Sequence, residues 1–491
     1  MGVIARQTIK SSSIGYMAAV IGVVNTFFVY TLCFDEAELG RFRYVQEMGI
    51  VLASIFSLGI TNVVVRFFPE FRDKDNHHNG FLGFVIFVLF AGVSTFLTLY
   101  GLTWQWWPLE FQDNFWYIFL LFVAIMFANS FYYYSSNFRL ITVPNVFRQL
   151  WVKIGLGLSA ISFLYFQFSY EEMLVNVVIV YLIATLGIMV YLVQKGNFKF
   201  TLNLKFLKNN RLKNIAVFAG FGILSSLGSG LANKLDVFMV TDMLNFSKTG
   251  VYSIAMSITG SMILATGPLL SISGPILLES LAKNDIVHVQ EIYKKSSVNL
   301  FVFGSLLLVL IWVNVDSIFD VLPNGEKYSE GKIVILILGV AKLADMITSV
   351  NEVIISYSKY FRFNLYALLL LGILNIGANL LFIPMFDIAG AALATCLSIV
   401  LYNGAKTLFI YHKFGIHPFQ KPLIYIILLS FSCYFAVEYL VLLNNPYVSI
   451  IVKSAVVTST FIFISLRFNF SEDITQLWSQ TKFRVLSIFN K

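Results

Sequence analysis

Apolar residues fall in long runs along this chain, too long for the helices of a soluble protein. About 20 apolar residues, at 1.5 Å rise each, cover the hydrocarbon of a bilayer. The runs reach that length at about Ser12–Leu32, Phe42–Val65, Phe81–Thr103, Phe115–Ser135, Leu150–Phe168, Met173–Val193, Val217–Asp242, Val251–Leu278, Val298–Val315, Ile333–Ser356, Asn364–Ile383, Ile388–Tyr411, Leu423–Leu443 and Val448–Leu466, numbered here as spans 1 to 14. Short polar loops separate them. The most basic linker, residues 194–214, divides the chain near its middle. This pattern predicts an all-α polytopic membrane protein of about 14 transmembrane helices.

Where polar residues break the runs, they mark candidate chemistry. Span 7 begins with closely spaced small residues, Gly220, Gly222, Ser225, Ser226, Gly228, Ser229 and Gly230, which let a neighbouring helix approach. Its second half carries Asn233, Lys234 and Asp236, with Asp242 near the outer end. Charge inside a bilayer costs about 2.5–3.5 kcal/mol per residue on the insertion scale, so such groups face a bundle interior or a water-filled cavity. Two residues apart on a helix, Lys234 and Asp236 point about 200° away from each other. Lys234 is therefore expected to face a central cavity and attract an anion. Asp236 is expected on the other side, as the coupling-ion candidate or a structural partner. A structural ion pair with a neighbouring helix is the competing reading of both. In span 10, Lys342, Asp345, Ser349 and Glu352 have the spacing of one helical stripe, which suggests a cavity lining or a self-neutralised face. Asn25 in span 1 is either a helix–helix hydrogen-bonding residue or a ligand contact. Arg66, Lys406 and Lys453 lie near span ends, where long basic side chains snorkel; for Arg66 phosphate binding is the alternative.

Composition agrees: 58% of residues are hydrophobic and 12% charged, with mean hydropathy +0.79, where a soluble protein carries about 25% charged residues. The net charge of +8 does not indicate nucleic-acid binding, because the basic residues sit in short loops. With the N-terminus inside, the inner segments hold roughly 25 basic residues against about 5 outside, so both termini are expected in the cytoplasm. Cys33, Cys396 and Cys433 lack metal-ligand spacing and read as packing residues. The histidines have no metal spacing either, and no nucleophile–base constellation or phosphate-cradling loop appears. No metal, cofactor or enzymatic activity is expected. The short outer loops also disfavour a membrane glycosyltransferase or polymerase.

A shift of about 210 residues lays span 7 on span 1 and sets Gly40 on Gly250. Spans 1–6 and 7–12 then form two pseudo-symmetric six-helix bundles, residues 1–205 and 206–415, followed by spans 13 and 14 with a tail, residues 416–491. Parallel repeats of this kind place a substrate between halves that rock around it.

Several segments carry a resemblance to a known family. ARQTIKSSSIGYMAAVIGVVN with ELGRFRYVQ, NKLDVFMVTDMLNFSKTGVYSIAM, and NIGANLLFIPMFDIAGAALAT (residues 375–395) are similar to bacterial polysaccharide-export flippases of the multidrug/oligosaccharidyl-lipid/polysaccharide (MOP) superfamily. Phe386-Asp387 stands where that family typically has Tyr-Gly. The resemblance implies a monomeric inner-membrane protein that flips an undecaprenyl-pyrophosphate-linked glycan outward, with a proton or sodium ion as the coupling cation and membrane lipids as its surroundings. A cation-coupled multidrug exporter of the same superfamily is the alternative, although such pumps usually have twelve helices. Candidate cavity residues are Asn25, Lys234, Lys342, Asp345, Glu352 and Arg66.

Overall fold

The computed structural model describes residues 3–71, 78–201, 210–226, 234–440, 443–476 and 478–479. Asn233, the Gly228–Gly230 segment, His77 and the end of the C-terminal tail lie outside the described residues. Among the described residues the chain is all-α, an all-helical polytopic membrane fold. Ten helical stretches among the described residues are long and apolar enough to cross a membrane. One of these, Arg362–Phe414, holds spans 11 and 12; the other nine take one span each. Spans 8 and 10 have no counterpart among the ten because each is interrupted, and span 7 lies partly outside the described residues. Broken helices belong at membrane depth only where protein or a water-filled cavity receives their freed backbone groups.

Two compact units divide the chain, Met1–Gly250 and Val251–Lys491. In the first, α1 (Val3–Val24) continues through a π turn at Asn25–Val29 into Tyr30–Cys33. Then come α2 (Glu36–Phe56), α3 (Ile60–Phe71), α4 (Phe81–Thr103) and α5 (Phe115–Ser136). A second π turn, Val146–Trp151, leads into α6 (Val152–Phe166), followed by α7 (Tyr170–Gln194), α8 (Asn210–Ser226) and α9 (Leu235–Met243). Sharp starts have local causes. Asp35 and Glu38 form a reciprocal capping box on α2, at 2.7 and 2.9 Å, and Ser169 with Glu172 does the same for α7.

Small residues set the close approaches. Span 2 kinks at Ser57–Gly59, between α2 and α3, where Leu58 (φ 51°) and Gly59 (φ 70°) are left-handed. A Cβ on Gly59 would overlap the Ala219 carbonyl of α8, and one on Gly222 would lie 2.9 Å from Asn62 Nδ2. Ala219 and Gly222 of span 7 thus receive the kink of span 2. At the start of α10 (Phe246–Gly260), a Cβ on Gly40 would overlap the Phe246 carbonyl, and a Cβ on Gly250 the Glu36 carbonyl. The 210-residue shift carries Glu36 to Phe246 and Gly40 to Gly250. The contact is therefore reciprocal, as equivalent segments make across a local two-fold axis.

In the second unit, span 8 is broken: a 3₁₀ turn at Ser261–Ala265 separates α10 from α11 (Thr266–Ala282). Next come α12 (Ile286–Val313), α13 (Lys332–Ile347), α14 (Asn351–Ser356) and α15 (Arg362–Phe414). Last are α16 (Lys421–Leu440) and α17 (Pro446–Arg467). Phe301 and Val309 of α12 pack with Ile426 and Cys433 of α16 and with Val457 and Phe461 of α17. The last two spans thus sit on α12.

The family-like segment 375–395 folds as a bend with a polar clamp. Asp387 breaks α15 at φ 56°, ψ −138°, a conformation that favours glycine. A Cβ on Gly390 would overlap the Phe382 carbonyl. Across the bend, Asn375 Nδ2 donates to Thr395 Oγ1 at 3.1 Å, and before the bend Asn379 Nδ2 donates to Asn375 Oδ1 at 2.9 Å. The departure at Phe386-Asp387 thus places a side chain where the backbone prefers none. Asp387→Gly is expected to stabilise the protein by about 1 kcal/mol, and Gly250→Ala to destabilise it by about 1–3 kcal/mol. Melting temperatures of the purified variants check both; a lower value for Asp387→Gly or an unchanged one for Gly250→Ala would refute the backbone reading.

Candidate functional site: a cationic cavity in the first unit

The first unit encloses a cavity of about 530 Å³. Its charged lining is Arg43 and Glu47 from α2, Arg148 from the second π turn, Lys153 from α6, and Lys234 just before α9. Both π turns of the unit contribute. One presents Arg148 and Gln149 to the cavity, and the other begins at Asn25, whose Nδ2 donates to the Lys153 carbonyl at 2.6 Å. A π turn inserts one residue into a helix, which re-aims the side chains around it, and such turns concentrate at functional sites.

Each cation is held differently. Lys234 Nζ lies 2.6 Å from Glu47 Oε1, the one ion pair of the group among the described residues. Arg43 donates to Thr26 Oγ1 at 3.0 Å and stacks over Tyr30 at 5.4 Å, while its buried Nε has no hydrogen-bond partner. Arg148 lies over the Tyr132 ring at 4.0 Å. Lys153 makes no ion pair among the described residues, and its stem runs over Gly22, where an added Cβ would lie 3.4 Å from Cε. Behind them Gln46 donates to Tyr181 Oη at 2.9 Å and closes the wall. Four cations thus surround one carboxylate, a net of three positive charges. Such a cavity suits a ligand with several negative charges. The guanidinium forks match phosphate oxygens in two-point contacts, and lysines add point charges that release them.

The sequence-predicted residues separate on this structure. Lys234 lines the cavity and Asn25 braces its wall. The continuous helix expected through Lys234 and Asp236 does not form: Lys234 is the non-helical residue preceding α9 (φ −126°) and lines the cavity, while Asp236 lies in the helix's first turn, 3% exposed and outside that lining. Arg66 is exposed on α3, outside this lining. The stripe in span 10 does not hold either, because the helix ends at Ile347 and restarts at Asn351. Lys342 and Asp345 stay half-buried on α13, with Asn403 Nδ2 donating to Asp345 Oδ1 at 3.0 Å. Ser349 falls in the turn, and Glu352 is exposed on α14. Lys406 does not snorkel: it is 2% exposed and donates to Tyr402 Oη at 2.6 Å. Lys453, half-buried, donates to the Val313 carbonyl at 3.3 Å.

Arg43, Glu47, Arg148 and Lys153 escaped the sequence reading. Loop counting assigned the three cations to the membrane surfaces. The available signal was the four-residue spacing of Arg43 and Glu47 on one helix face.

No protein-family model matches the sequence, and no curated protein matches it. Solved structures do. The chain is similar to the lipid II flippase MurJ in an inward closed conformation, with TM-score 0.72 at 12% identity over 94% of this chain and 98% of that one. It is also similar to an inward-facing multidrug resistance MATE family transporter of the MOP superfamily, with TM-score 0.62 at 14% identity over 82% and 94%. A third likeness is to a MOP superfamily transporter from Pyrococcus furiosus described as having a binding pocket of reverse polarity, with TM-score 0.53 at 12% identity over 84% and 95%. The chain has the fold of MOP superfamily transporters.

The Lys234–Glu47 pair is largely shielded, with side-chain exposures of 29% and 11%. Lys234→Met leaves Glu47 unpaired and is expected to cost about 2 kcal/mol, below the 3–5 kcal/mol of a fully buried broken pair. Adding Glu47→Gln should restore most of the loss. Thermal unfolding of both variants checks this; equal melting temperatures for wild type and Lys234→Met would show that the pair contributes nothing.

Proposed function

We propose that the protein flips a lipid-linked oligosaccharide or polysaccharide repeat unit across a bacterial inner membrane, binding its anionic head group in the cationic cavity and alternating access to the two faces. The observation that carries this reading is the net charge of the cavity, since a pyrophosphate needs several cations and a cationic drug is repelled by them. The fold shared with a lipid II flippase adds support. Interrupted spans 8 and 10 supply segments that change shape without exposing backbone groups to lipid.

In this reading Arg43, Arg148, Lys153 and Lys234 receive the pyrophosphate. Glu47 holds Lys234 when the cavity is empty and gives it up to the phosphate when substrate binds. Asn25 braces Lys153. Lys342, Asp345 and Glu352 are the candidate substrate-path residues within the second unit, and Arg66 meets the head group at the membrane surface. Asp236, 3% exposed, takes the coupling proton or sodium ion. The protein works as a monomer without a cofactor, both termini cytoplasmic. The six-helix halves, residues 1–205 and 206–415, rock against each other, with residues 416–491 riding on the second.

The second reading, a cation-coupled multidrug exporter, rests on the fold shared with MATE family transporters. One experiment separates the two. The purified protein is reconstituted in liposomes and assayed for flipping of undecaprenyl-pyrophosphate-linked glycan and for transport of ethidium. The flippase reading predicts glycan movement without ethidium transport. Arg43→Ala and Lys153→Ala should each slow flipping about ten- to a hundredfold, the value of one charge-assisted hydrogen bond. Asp236→Asn should abolish acceleration by an imposed ion gradient. Ethidium transport with no glycan movement, or wild-type flipping by both cation variants, would reject this assignment.

A further inference from the structure

The second unit holds a separate cavity of about 340 Å³, walled by α12, the residues leading into α16 and the segment after α17. It opens where the spans Ile286–Val313, Lys421–Tyr439 and Pro446–Arg467 end, the level at which phospholipid head groups lie. Its charges are unevenly matched. Glu291 and Glu472 share one lysine, Lys295, at 3.0 and 3.5 Å. Asp473 accepts from Asn299 Nδ2 at 2.7 Å, and Ser471 Oγ also bonds Asn299. Among the described residues, Lys294, half-buried on the same wall, has no carboxylate partner. The cavity therefore offers a spare cation on one side and a surplus of carboxylate on the other. Beside it runs an aromatic shelf: Phe470 stacks on Tyr425 at 6.1 Å and on Phe468 at 6.2 Å, and Tyr425 and Phe468 are half or more exposed.

We propose that this cavity binds the head group of a bilayer phospholipid carrying a primary amine, phosphatidylethanolamine. The phosphate meets Lys294, and the ammonium donates to Glu291 and Glu472. The glycerol and the upper acyl chains lie along Tyr425 and Phe468. An ethanolamine ammonium has hydrogen-bond donors for the two carboxylates, whereas a choline group has none, and a head group of net negative charge meets three acids against two lysines. A lipid held this way ties α12 to the segments flanking α16 and α17, reinforcing the Asn299–Asp473 tie that already fixes the end of the last span.

The test uses the full-length protein, delipidated in detergent, with melting temperature and native mass spectrometry as readouts. Dioleoyl phosphatidylethanolamine should raise the melting temperature by about 3 °C and remain bound in the mass spectrum, while the phosphatidylcholine and phosphatidylglycerol analogues do neither. Lys294→Ala and Glu472→Gln should each remove the shift, and Lys283→Ala, in an exposed pair elsewhere, should keep it. Each variant is compared with its own lipid-free melting temperature, so a folding defect is read separately. Equal shifts with ethanolamine and choline lipids, a larger shift with phosphatidylglycerol, or a full shift in Lys294→Ala would overturn the proposal. The same shift with soluble O-phosphoethanolamine would move the site from a membrane lipid to a free metabolite and equally overturn it.

Discussion

Positive charge that its own protein does not neutralise governs this structure. Four cations converge on one carboxylate inside a unit made of membrane-crossing helices, and Glu47 satisfies only Lys234. Removing ions from water is expensive, and an imperfectly paired set is a standing cost. The unit meets that cost with local devices. Arg148 lies on an aromatic face, Arg43 stacks on Tyr30 and bonds Thr26, and Lys153 is braced by Asn25. None of these removes charge. In the proposed reading an anion completes the site, and the cations share a cavity instead of lying at helix ends for that reason.

Backbone chemistry explains where the helices break. Every peptide group at membrane depth needs a partner, so an interruption must be received by protein or water. The kink at Leu58–Gly59 packs on Ala219, the bend at Asp387 is spanned by Asn375 and Thr395, and the π turns border the cationic cavity. Glycine does this work at two crossings: Gly59 with Gly222, and Gly40 with Gly250.

Much of the fold was legible because its signals are strong and additive. Long apolar runs identified the spans, and a faint repeat identified Gly40 and Gly250, which meet reciprocally. The Phe386-Asp387 departure pointed to the one residue in α15 with a non-helical backbone. The site was less legible. Span 10 reads as one apolar helix, and nothing local in its sequence announces the turn at Thr348–Val350 that separates Asp345 from Glu352. Arg148 and Lys153 resemble loop cations because they are close to the start of a span; a π turn, invisible to a 3.6-residue period, carries Arg148 into the cavity. Lys406 looked like a snorkelling lysine because its partner, Tyr402, is not a charge. Periodicity reports which face a residue occupies only while the helix continues.

The central claim is that the cavity in the first unit recognises the negative charge of its ligand. The most direct measurement is the affinity of the purified protein for undecaprenyl pyrophosphate, undecaprenyl monophosphate and undecaprenol, which share a tail and differ in head-group charge. Affinity should fall at each step, by about tenfold or more, and the pyrophosphate affinity should weaken as salt rises. Equal affinity for all three, insensitive to salt, would mean that the tail alone is bound and that the cationic cavity has another purpose.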